Sequence, residues 1–100
     1  MSATQAHRYR ITLEGADDAA SAPLTFEFIH HDDLFALVER VRGGTAFTND
    51  DAAALALGMK LFTGVMLGLR HDPLFADIQP VMRNFIGNLK SRIAATSAKR

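Results

Sequence analysis

A chain of 100 residues with 48% hydrophobic and 22% charged side chains is too apolar for a disordered segment. It is long enough for one core, burying about 60 to 65% of the surface its unfolded form exposes. The absence of cysteine excludes disulfide frameworks, thiolate metal sites and cysteine nucleophiles, and a formal net charge of zero argues against general attraction to nucleic acid or anionic membrane.

Residues 1–50 carry four basic and eight acidic side chains and residues 51–100 carry seven and three, so the halves are −4 and +4. Packing of one half on the other is the simplest use of that split. The first ten residues, MSATQAHRYR, hold no apolar run, which predicts no secretory leader and a cytoplasmic location.

In residues 8–14, Tyr9, Ile11 and Leu13 alternate with Arg8, Arg10, Thr12 and Glu14, the period of a strand with one face buried. Residues 24–29 repeat the pattern, with Leu24, Phe26 and Phe28 inward and Thr25 and Glu27 outward. Between them, GADDAASA offers small and turn-forming residues and predicts a mobile hairpin loop. The strands are predicted to pair antiparallel.

At His30-His31-Asp32-Asp33 the period changes, and Leu34, Leu37, Val38 and Val41 fall on one arc of a helix. Asp32 is the predicted N-cap, and Gly43-Gly44 is predicted to stop the helix in the left-handed conformation. A second helix opens at Thr48 or Asn49 and runs to about Arg70. From residue 52 to 69 only Lys60 and Thr63 interrupt its apolar run. Its length and the Gly64-x-x-x-Gly68 spacing suit a membrane span. Lys60 near the middle, the many Ala and Gly residues, and the amphipathic elements on both sides favour instead a helix buried inside a water-soluble fold.

Asp72-Pro73 predicts a capped turn carrying Leu74, Phe75 and Ile78 into the core. Pro80 then opens a last helix whose residues Val81, Met82, Phe85, Ile86, Leu89 and Ile93 span an arc of about 140°. The predicted fold is thus α+β: an N-terminal antiparallel two-stranded hairpin followed by three main helices, ββααα, with the central helix buried. It forms a single domain over 1–100, ordered from about 8 to 93, with frayed tails 1–7 and 94–100.

Chemistry is sparse along this chain. His30, His31, Asp32 and Asp33 are of metal-ligating type, but neighbours in an extended segment point to opposite faces and no third ligand stands out. No metal, cofactor or catalytic residue is predicted, and a helix cap explains the same four residues. His71 follows Arg70 at a helix end, where histidine commonly meets terminal carbonyls. On the last helix Arg83 and Lys90 line one edge of the apolar stripe and Arg92 the other; long basic side chains so placed usually cover the edge of the core, and in a functional role they would hold an acidic protein or a phosphate backbone. With no tryptophan and one tyrosine, stacking on nucleic acid bases has little support.

The segments RYRITLE, FEFIHHDDLFALVERVR, DDAAALALGMKLF and HDPLFADIQPVMRNFIGNLK, in that order, resemble a bacterial family of short proteins, domain of unknown function 3861, over roughly Arg8 to Lys90. The resemblance implies a bacterial, cytosolic α+β protein and brings no activity, cofactor or catalytic residue. Two classes of function follow. The first is an interaction module or homo-oligomer using the hairpin edge. The second is a small-ligand binder or enzyme with a site between hairpin and helices near His30, His31 and His71.

Overall fold

Period-two alternation places the first two elements where it occurs. The computed structural model describes residues 6–17 and 21–98. It forms two compact units, Met1–Asp33 and Leu34–Arg100. In the first, β1 (His7–Leu13) pairs antiparallel with β2 (Leu24–His30). The register sets Tyr9 opposite Phe28, Ile11 opposite Phe26 and Leu13 opposite Leu24, so six apolar side chains share one face. The other face pairs Arg8 with Ile29, Arg10 with Glu27 and Thr12 with Thr25.

On that second face Glu27 accepts Arg8 and lies 3.6 Å from Arg10, and the threonine hydroxyls meet at 3.4 Å. These ion pairs are exposed, a setting worth about 0 to 1 kcal/mol each, so they trim the register rather than hold the hairpin. The loop predicted over 15–22 falls partly on residues 18–20, outside the described ones.

The second unit comprises α1 (Leu34–Gly44), α2 (Asn49–Gly68), a 3-10 turn (Pro73–Phe75) and α3 (Ile78–Ala98). Helical spacing brings Leu34, Leu37 and Val41 to one face of α1, and Val41 is wholly buried. The core joins Leu37 and Val41 to Ala52, Ala56 and Met59 of α2 and Leu89 of α3, flanked by Met82, Ile86 and Ile93. Thr48 caps α2 by accepting the Asp51 amide at 3.1 Å. Asp72 caps the 3-10 turn through the Leu74 amide at 2.9 Å, with Pro73 at its first position.

Several expectations are corrected. The helix of α1 begins at Leu34, so Asp33 rather than Asp32 immediately precedes it. Gly43 and Gly44 lie inside α1, and no glycine among the described residues has positive φ. Close approach, not handedness, explains Gly44: a Cβ there would sit 2.8 Å from both Cγ atoms of Ile93 and 3.0 Å from its Cα. The second helix ends at Gly68 rather than Arg70, and the Leu69 amide donates back to Val65 and Met66.

The predicted burial of the central helix holds for one face only. Ala52, Ala56, Met59, Thr63 and Met66 are buried, whereas Phe62, Val65 and Leu67, with Leu69 just beyond the helix, are exposed. Its inner face packs mainly against α1 and shares the core cluster with Leu89 of α3, so one side is covered and the other left open. By length and composition α2 is also the one helix among the described residues able to cross a membrane.

In the 3-10 turn Phe75 enters the core and meets Phe62 edge-on at 6.1 Å, but Leu74 is 77% exposed. Val81 is likewise exposed. The last helix starts two residues before Pro80, whose missing N–H falls in a first turn that has no intrahelical acceptor. It continues past Ala94, where the Thr96 hydroxyl donates to the Gly44 carbonyl at 3.0 Å.

Candidate functional site

The histidine-aspartate segment forms a local turn at the end of β2. His30 Nδ1 accepts the Asp32 amide at 2.9 Å and lies 3.9 Å from the Asp32 carboxylate, while Tyr9 Oη donates to the Asp32 carbonyl at 2.7 Å. The His30 ring stacks on Phe28 at 5.8 Å. One nitrogen of His30 is therefore committed to its own backbone, and His31 and Asp33 are exposed. Among the described residues no group of three His, Asp or Glu side chains is placed to hold a metal ion. His30 and His31 belong to the hairpin unit and His71 to the helical unit. After α2 the Arg70 carbonyl accepts Gln79 Nε2 at 3.1 Å, so a glutamine from α3 takes the place expected for His71.

The three basic residues singled out on α3 separate in space. Lys90 lines a cleft of about 270 Å³ inside the helical unit. Arg92 lines a smaller one of about 110 Å³ with Phe47, Leu55 and Phe85, and Arg83 is exposed. The larger cleft has an aliphatic floor of Leu37, Met59, Ile86, Leu89, Ile93 and Ala94. Arg40, Lys60 and Lys90 complete its lining, one cation from each helix.

Sequence reasoning did not single out Arg40 as a site residue, and took Lys60 only as a charge opposed to membrane insertion. A signal was present. Arg40 stands three residues after Leu37, Lys60 follows Met59 and Lys90 follows Leu89, so each cation flanks a core position. Only the packing of three helices brings those flanks to one rim.

In the hairpin unit the shared apolar face is half open. Tyr9, Ile11 and Phe28 are partly covered, but Leu13 is 65%, Leu24 56% and Phe26 41% exposed. Neither strand has a second neighbour among the described residues.

Comparison with known proteins adds a family and a fold. The profile of a family described as a domain of unknown function with a solved structure (DUF3861) matches residues 7–91. A Pectobacterium atrosepticum protein of unknown function, whose crystal structure is known at 2.20 Å, is similar with 39% identity and a TM-score of 0.80; the match covers 87% of this chain and 99% of that one. Comparison with curated proteins gives no match.

Proposed function

The chain belongs to the DUF3861 family, and from that premise we propose that it is a small non-catalytic interaction module whose hairpin pairs with a second copy of the chain. The observation that carries this reading is the open apolar face of β1 and β2, with Leu13, Leu24 and Phe26 exposed on two strands that have no further strand neighbour among the described residues. A lone two-stranded hairpin is marginally stable in water, and three or more strands or a packed face are needed to secure it. Pairing across a two-fold axis gives each copy the same surface that it offers, so the contact closes at two.

The Asp32 amide donates to His30 Nδ1, which gives that nitrogen a part in the local turn at the end of β2. Light scattering on the eluting protein over a range of concentrations tests the pairing. The expected result is twice the chain mass at high concentration and the single-chain mass for Leu13→Lys and Leu24→Lys, with unchanged circular dichroism. Both positions are exposed, so a lysine there costs little folding energy, within about 0.5 kcal/mol. A single-chain mass for the unaltered protein at every concentration overturns the reading.

A further inference from the structure

We propose that the cleft between α1, α2 and α3 is a docking groove for an acidic amphipathic helix of a partner protein. The inference goes beyond hairpin pairing and stands on a different unit of the chain. Its first support is charge. Arg40, Lys60 and Lys90 come from three separate helices and surround one aliphatic floor, and none of the lining residues is acidic. A surface built this way complements a ligand that is apolar along one stripe and negative on both flanks.

Size and shape then select among anionic ligands. Small-molecule sites run from about 300 to 1,000 Å³ and enclose most of their ligand. This cleft, at about 270 Å³, is below that range and open to solvent along one side. A single carboxylate bonds one or two cations at a time, whereas several acidic side chains along a helix offer a separate partner for each of the three. Nucleic acid fits poorly because the floor has no aromatic ring on which a base could stack. Met59 in the floor adds an unbranched side chain that adapts to the residues inserted against it.

The test is fluorescence anisotropy with the full chain and a labelled synthetic helix carrying leucines at positions i, i+3 and i+4 and glutamates on either side. Matched probes are the same helix with lysines replacing the glutamates, and decanoate as a free alkyl carboxylate. The proposal expects saturable binding of the acidic helix that weakens with salt. It expects a loss of about tenfold or more when Arg40→Glu and Lys90→Glu are combined. The lysine helix should not bind, and Arg83→Glu, on α3 but outside the cleft, should bind as the unaltered protein does. Circular dichroism of the paired variant separates lost binding from lost fold, and if that variant unfolds, Lys90→Glu alone serves at an exposed position. Equal binding of the acidic and basic helices, or no effect of the cleft variants on a bound acidic helix, overturns the proposal. So does binding of decanoate with no binding of the helix, which would assign the cleft to a small amphiphile.

Discussion

Gly44 shows how one missing methyl group sets the distance between two helices. Its carbonyl receives the Thr96 hydroxyl and its Cα faces Ile93, with no room for a Cβ. Replacing it with alanine should cost about 1 to 3 kcal/mol, the usual range for overpacking, because one of the obstructing atoms is backbone. Gly43, one residue earlier in the same helix, has open space for 4 Å around the point where a methyl group would sit. There alanine should stabilise by about 0.5 to 1 kcal/mol through its better helix propensity. Urea unfolding of Gly43→Ala and Gly44→Ala should give opposite shifts of midpoint, and equal shifts would contradict the packing described for Gly44. In the sequence the two glycines were indistinguishable, and both read as a helix stop. The property that separates them belongs to Ile93, near the far end of the chain, and no local pattern encodes it.

Among the elements, those with a clear period were legible and their ends less so. Tyr9, Ile11 and Leu13 alternate, and the strand, its face and its pairing with residues 24–30 all follow from that alternation. Thr48-Asn49 ahead of Asp50 and Asp51 marked the start of α2 but left the cap open between the first two, and the structure gives it to Thr48. Thr48→Ala should therefore cost about 1 kcal/mol in thermal or urea unfolding, while Thr48→Asp, which keeps an acceptor beside the helix N-terminus, should retain most of the stability. An alanine variant as stable as the parent would show that the hydroxyl contributes nothing. The circumference of α2 was harder to read. A helix apolar on nearly all sides has no preferred face in the sequence, so the choice of an inner side that includes Ala52, Ala56 and Met59 came from the tertiary core they share with α1 and with Leu89 of α3. Composition alone could not show that Phe62 and Val65 stay exposed.

Across the whole molecule, the two compact units divide the tasks proposed for it. The hairpin offers an apolar face on a sheet of two strands, and the helical unit offers an aliphatic cleft ringed by cations. The surface expected from α3 alone, Arg83, Lys90 and Arg92, was legible as a basic edge but not as a site, because Lys90 lines one cleft with Arg40 and Lys60 while Arg92 lines another beside Leu55 of α2. Of the histidines that stood out in the sequence for their chemistry, His30 has a structural part, since its imidazole nitrogen receives a backbone amide two residues on. Self-pairing of the hairpin is the central claim, and hydrogen exchange of the β1 and β2 amides at low and high protein concentration tests it most directly. Exchange of the β1 and β2 amides should slow as concentration rises, with α2 amides unchanged as an internal reference, and Leu24→Lys, which places a charge on the apolar face, should abolish the slowing. Hairpin amides that exchange at the same rate at both concentrations would contradict it.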